Sequence, residues 1–161
     1  VFNWVAQKVG ELGPFNDVCE VGSRNINGTI RPAFGLCRYI GVDLIDGPDV
    51  DVIADFVTWD TAQRFDCVVT TGALEHYPNP AGIVQRAAEL LKPSGVLIVT
   101  CAGPGWRPHS GVDGGDELHE GEHYCNIDTP QLGEMFNVSG FGEWELETNK
   151  QFADTLGWAQ K

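Results

Sequence analysis

The stretch Asp17-Val18-Cys19-Glu20-Val21-Gly22 decides how the chain is read. It is a short apolar run with one acid inside it and a glycine at its end. Bounded by Gly13-Pro14 before it and the polar loop Ser23–Asn27 after it, such a run reads as a buried strand. Ahead of it, Phe2, Val5, Ala6, Val9 and Leu12 fall on one helical face, and Gly13-Pro14 stops that helix. Beyond it, residues 28–36 suggest a short helix, provided that Pro32 lies in its first turn. Tyr39–Asp43 and Val50–Asp55 read as a second and a third strand, each ending in a carboxylate. Only Gly47-Pro48 and a few neighbours separate them, too few for a crossover helix, so this crossover is expected to be minimal or irregular.

The pattern then settles into alternation. Phe65–Thr71 is a fourth strand. Asn79-Pro80 supplies a helix cap and a first-turn proline, and Ile83, Val84, Ala87, Ala88 and Leu91 form the apolar stripe, with Pro93 and Gly95 ending the helix. Val96–Cys101 is apolar on both faces, as a central parallel strand is. Thr129-Pro130 opens another helix with Leu132, Met135 and Phe136 inward. Trp144–Glu147 alternates like a strand, and Thr155–Ala159 is expected to pair with it as an antiparallel hairpin. Strands alternating with helices predict an α/β domain, doubly wound around a mostly parallel sheet. Ligands then bind beyond the carboxyl ends of the strands, where the strand order reverses.

Composition bounds the function. The 161 residues suit a single domain over 1–161, with 42% apolar and 20% charged residues in globular proportion. No apolar run approaches a membrane span, and no signal peptide is visible from Val1 onward. The net charge is −13, from 10 basic and 23 acidic side chains. Such a surface repels a phosphate backbone, which disfavours nucleic acid and suits a small neutral or cationic partner. The five cysteines are odd in number and lack C-x-x-C spacing, and Cys19, Cys67 and Cys101 sit in apolar runs. A reducing, cytoplasmic compartment is expected. Oligomeric state is not legible.

Three strand ends carry acids, Glu20, Asp43 and Asp55, at the place where a doubly wound sheet opens its crevice. Asp43 lies 21 residues beyond Gly22, the spacing at which such folds bring a carboxylate to ribose hydroxyls. The loop is not the dinucleotide G-x-G-x-x-G: Arg24 stands at the second glycine's position, and Gly28 follows Gly22 by six residues. A pyrophosphate cradle is therefore not expected. Carboxylates around the crevice favour a cation instead. An unphosphorylated nucleoside with a positive centre fits that field, and S-adenosylmethionine, with its sulfonium and ammonium, is one.

The ordered set Val18-Cys19-Glu20-Val21-Gly22-Ser23, Gly41-Val42-Asp43-Leu44, Ala54-Asp55-Phe56, Phe65–Val69, Leu74-Glu75-His76 and Leu90–Leu97 resembles class I S-adenosylmethionine-dependent methyltransferases. It looks closest to the subgroup with Leu-Glu-His after the fourth strand, a type 11-like methyltransferase domain. The resemblance runs from about residue 15 to 101 and more loosely to 161. It implies a Rossmann-like, seven-stranded sheet and S-adenosylmethionine as cofactor. It also implies roles for particular residues. Glu20 and Gly22 would line the methionine end, Gly22 through its backbone, Ser23 and Arg24 would belong to the cofactor site, Asp43 would hold the ribose, and Leu44 would pack on adenine. Asp55, with Phe56 beside it, would accept from the adenine amino group. Thr71, Gly72 and Ala73 would border the methionine. Arg24 departs from the family glycine and either narrows this loop or swings outward to contact the carboxylate.

His76 stands at the crevice mouth and is the first candidate for a catalytic base, with His109 and His123 behind it. Glu75 is expected to order the turn after the fourth strand. No metal ligand is assigned. The segment from about 103 to 128 is rich in Gly, His and acid, and residues 108–149 contain no Lys or Arg. It reads as an acidic lid loop. A substrate-recognition loop and a metal site, with His119 and His123 on one helical face, are the other readings. Trp106 and Tyr124 flank it and either shape an acceptor pocket or simply pack. The expected reaction is in-line transfer of a methyl group to an O, N or C nucleophile of a small-molecule acceptor. The alternative is a non-catalytic S-adenosylmethionine-binding module of a larger assembly.

Overall fold

A computed structural model describes all residues, Val1–Lys161. Helix α1 (Phe2–Leu12) precedes β1 (Asp17–Val21), β2 (Arg38–Asp43), β3 (Val52–Ile53) and β4 (Phe65–Thr71). Helix α2 (Pro80–Leu90), β5 (Leu91–Ala102), α3 (Thr129–Val138), β6 (Glu143–Asn149) and β7 (Asp154–Gln160) follow. The strands form one seven-stranded sheet in the order β3-β2-β1-β4-β5-β7-β6. β3, β2, β1, β4 and β5 are parallel neighbours. β7 runs antiparallel between β5 and β6. The doubly wound sheet with its antiparallel terminal pair matches the sequence expectation. No helix is long and apolar enough to cross a membrane.

Strand alternation sorts the core into two layers. Phe65, Val68, Leu97 and Val99 face α2 and α3, where they meet Ile83, Val84, Ala87, Leu132 and Phe136. Val18, Cys67, Val69, Val96 and Ile98 face the other way, onto Val5 of α1 and onto Ile30 and Phe34. The central strands are apolar on both faces because helices cover both.

Several local details differ from the expectation, while the helix-free β2–β3 crossover and the helix-free acidic loop agree with it. Residues 28–36 make only a 3-10 turn, Arg31–Phe34, with Pro32 at its start. β3 shrinks to Val52–Ile53, and the β2–β3 crossover contains no helix. α2 stops at Leu90 rather than at Pro93, because Leu91 pairs with Phe65 and already belongs to β5. The register shifts between Leu91 and Val96, so Pro93 and Gly95 mark an irregularity in a strand, not a helix end. No helix forms between Gly103 and Asp128, so His119 and His123 share no helical face.

α3 is held by packing and by its cap. The Asp128 carboxylate accepts from Gln131 N, while the Gln131 side chain accepts from Asp128 N. Phe136, fully buried, stacks edgewise on Phe141 at 5.6 Å between ring centroids. Phe136→Ala is expected to destabilise the fold by about 3–5 kcal/mol. Urea unfolding with an unchanged m-value checks this.

Candidate functional site

β1 sends its connection to β2 on one side, and β3 sends the chain back across to β4 on the other. The loops that leave β1 and β4 therefore diverge, and a cavity of about 560 Å³ opens between them beyond the strand ends. Glu20 lines it from the end of β1, Gly22, Ser23 and Arg24 from the loop that follows, and Asp43, Leu44, Asp55 and Phe56 from the ends of β2 and β3. Thr71, Gly72, Ala73 and His76 line it from the end of β4, and His109 and His123 from the acidic loop. All the candidate cofactor and base residues named from the sequence thus share one cavity, while His119 and Tyr124 do not line it.

Gly22 sets the width of the first turn. Its φ is +74°, and a Cβ there would lie 2.4 Å from the Ala73 Cβ. Only glycine lets the loops after β1 and β4 approach so closely. Glu20, one residue before the end of β1, is only 4% exposed. Burial pushes its carboxyl up to about 7, against the hydroxyl of Tyr39, which donates to Oε2 at 2.9 Å. Burial and Glu20 itself push the Tyr39 phenol up, so Tyr39 remains a donor. The Ser23 hydroxyl is buried with no partner in the protein.

Asp43 is oriented by the chain itself. Oδ2 accepts from Arg24 N at 3.1 Å and Oδ1 from Ile45 N at 3.0 Å. Each oxygen keeps a second lone pair, so the carboxylate can still accept from two vicinal hydroxyls. Leu44 beside it is 58% exposed and offers an apolar face to a planar ligand. Asp55 accepts from Val57 N at 2.9 Å and from the Tyr77 hydroxyl, 2.8 Å from Oδ2 and 3.0 Å from Oδ1. An amino group arriving there would share Asp55 with Tyr77.

The Arg24 side chain swings outward and meets no carboxylate of the protein. It reaches across the cavity mouth, where its guanidinium donates to Gly111 O at 3.2 Å and to Val112 O. The acidic loop it holds is organised by hydrogen bonds, though it contains no helix or strand. The Glu122 carboxylate gathers Ser110 Oγ, Val112 N and His119 N. His119 pairs with Asp113 at 2.9 Å, which raises the imidazole pKa. Trp106 Nε1 donates to Asp154 at 2.9 Å, tying the loop to the start of β7.

The loop brings aromatic rings down onto His76. His109 lies 4.9 Å and Tyr124 5.5 Å from it between ring centroids, and His109 also meets Trp106 at 5.5 Å. A Cβ at Gly111 would sit 2.8 Å from His76 Cγ, so the loop backbone itself covers this ring. Burial, and then the neighbouring His109, lower the His76 pKa to about 4. His76 is therefore uncharged at neutral pH. Glu75, 2% exposed, accepts from Ala102 N at 2.9 Å and fixes the end of β5 to the turn after β4, the ordering role read from the sequence.

Sequence reasoning did not single out Tyr39, Tyr77, Glu122 or Asp154. Only Tyr39 left a usable signal. Val18 pairs with Tyr39 and Glu20 with Gly41 across parallel strands, so Tyr39 and Glu20 fall on one face of the sheet.

Comparisons with known proteins agree with this fold. The family model described as a methyltransferase domain matches residues 7–146. A ubiquinone biosynthesis O-methyltransferase of Actinobacillus pleuropneumoniae is 45% identical over 49 residues, which is 29% of this chain and 21% of that protein. The match thus spans about a fifth of that relative's length. Among solved structures, the 1,6-didemethyltoxoflavin-N1-methyltransferase of Burkholderia thailandensis, with its substrate and S-adenosylhomocysteine bound, superposes with a TM-score of 0.71. It is 17% identical over 99% of this chain and 77% of its own. The S-adenosylmethionine-bound amino pentose methyltransferase CalS10 of Micromonospora echinaspora gives 0.70 at 15% identity, over 99% and 89% of the two chains. At these identities the structural likeness speaks for the fold, and the matched model speaks for the family: the chain belongs to the methyltransferase domain family.

Proposed function

We propose that the chain is an S-adenosylmethionine-dependent methyltransferase acting on a small molecule, with residues 1–161 as one catalytic domain. The observation that carries the reading is the gathering of Glu20, Asp43 and Asp55 around one cavity at the strand-order switch, beside a glycine turn unsuited to a pyrophosphate. Asp43 takes the ribose hydroxyls, Leu44 and Phe56 flank the adenine, and Asp55 accepts from its amino group. Glu20, Ser23 and the turns at Gly22 and Thr71-Gly72-Ala73 border the methionine end. Arg24 serves the cofactor site indirectly, as the tie that holds the acidic loop over it.

Methyl transfer needs the sulfonium carbon in line with an O, N or C nucleophile, and most of the acceleration comes from that positioning. The sulfonium loses its charge in the transition state, so a carboxylate that orients it without clamping it is preferred. The acceptor enters on the side of His76, His109, Tyr124 and Trp106. Uncharged His76 takes the proton of a protonated nucleophile, with His109 and His123 nearby. Carboxylates and the absence of Lys and Arg over residues 108–149 favour a neutral or cationic acceptor over a phosphorylated one. Five free cysteines support a reducing, cytoplasmic setting.

Three outcomes are expected. Asp43→Ala should weaken S-adenosylmethionine binding roughly 100-fold, the loss of about two hydrogen bonds to a charged group. Calorimetry reads it, and formation of S-adenosylhomocysteine with candidate acceptors separates an enzyme from a binding module. A bound cation favours ionised Glu20, so binding should release a proton and tighten as pH rises through about 7. In the empty protein the sign is opposite: the raised carboxyl pKa makes stability fall as pH climbs from about 4.5 to 7. Glu20→Gln should flatten the binding dependence and reduce the stability dependence, whose remainder belongs to buried Glu75, measured by calorimetry in two buffers and by thermal unfolding between pH 5 and 8. Arg24→Ala should speed amide hydrogen exchange at residues 110–115 at least tenfold while Tm stays nearly constant, because the two bonds to the loop are local.

A further inference from the structure

On the acceptor side of the cavity, Glu75, His76 and His109 each place one ligand-type atom so that all three lie within 4.8 Å of one another. The reading above uses Glu75 only as a turn-former and His76 only as a base. Neither role accounts for the polar atoms left over there.

Glu75 Oε1 accepts from Ala102 N, but Oε2 has no hydrogen-bond partner in the protein, although the residue is almost fully buried. His76 Nδ1 is buried and also without a partner. A buried polar atom left unsatisfied costs about 1–3 kcal/mol. Two such unpartnered atoms, on residues whose ligand-type atoms converge within 4.8 Å, are what a cation would satisfy.

Ring tautomers point the same way. His109 Nδ1 lies 3.0 Å from the carbonyl oxygen of Arg107. A carbonyl only accepts, so Nδ1 carries the proton and Nε2 presents a lone pair. A backbone carbonyl fixing the far nitrogen is how proteins orient histidine ligands.

We propose that Glu75, His76 and His109 form a binding site for one divalent transition-metal cation at the acceptor side of the crevice. Two imidazoles and one carboxylate suit zinc, cobalt or iron better than magnesium or calcium, which favour all-oxygen sites. Metal–ligand bonds of about 2.0–2.2 Å bring ligand atoms to roughly 3–3.5 Å from each other, so the site must contract by about an ångström. His109 rides on the acidic loop and can supply that movement. Three protein ligands leave positions open for water or for an acceptor oxygen or nitrogen. Resting on the methyl-transfer reading, the ion would lower the proton affinity of a coordinated acceptor. Proton-taking by His76 then belongs to the ion-free protein, since base and ligand use one lone pair.

The test is binding, read apart from turnover. Metal-free protein is titrated with Co²⁺ and followed by visible absorption, with Zn²⁺ as competitor and calorimetry for stoichiometry. The expected result is one Co²⁺ per chain, displaced by Zn²⁺, with d–d bands of a nitrogen- and oxygen-ligated ion. His109→Ala, on the loop and harmless to the core, should weaken binding at least tenfold. Glu75→Gln should do the same if it folds. His119→Ala, which removes the imidazole paired with Asp113, should leave binding unchanged. Absence of stoichiometric binding, equal affinity in His109→Ala, or loss of binding in His119→Ala would overturn the proposal. S-adenosylmethionine affinity of the metal-free protein, measured in parallel, tests the methyltransferase reading separately.

Discussion

The parallel pairing of β1 with both β2 and β4 is the constraint from which the site follows. Two neighbours on opposite sides force the connections at β1 and β4 to part, and the sheet's own twist holds them apart. Side chains at the ends of these strands then project into a gap that no core residue fills. The apolar layers above and below fix the strands so firmly that the gap cannot collapse. Polar groups gathered there, Glu20 foremost, are kept at an energetic cost that packing elsewhere offsets.

That cost is concentrated in carboxyls. Burial drives both Glu20 and Glu75 up to about 7, while the exposed acids Glu11 and Asp113 and the half-buried Glu122 are all held down by hydrogen bonds. The separation is functional in form: surface acids keep the molecule negative at all ordinary pH values, while the buried ones respond to what enters the cavity. A cation arriving at the crevice meets a long-range attraction from the first set and a local titration in the second.

Much of the fold was legible because strands buried on both faces leave continuous apolar runs. Val96–Cys101 and Phe65–Thr71 could hardly be read otherwise. The misplaced end of α2 shows the limit. Leu91 fits the helical stripe by spacing, and only its pairing with Phe65 across the sheet assigns it to β5. The carboxylates of the site were legible because a strand end and a glycine turn fix their place locally. Of their phenolic partners, Tyr39 could be placed only through strand pairing with Val18, and Tyr77 not at all, since its contact with Asp55 joins residues about twenty positions apart. The reach of Arg24 to Gly111 and Val112 spans nearly ninety residues and leaves no trace in either segment. Within the acidic loop, composition was informative but pairing was not. His119 and His123 look like partners by spacing, yet His119 turns to Asp113.

β7 is placed between β5 and β6 although it follows both in the chain. During synthesis, β5 therefore waits with one edge bare, and β6 has nothing to pair with until Asp154–Gln160 leaves the ribosome. A nascent chain stalled before that point would present Val96–Cys101 as an unpaired apolar edge, a ready template for another chain. β7 is thus the strand that covers the bare edge of β5 and gives β6 its neighbour.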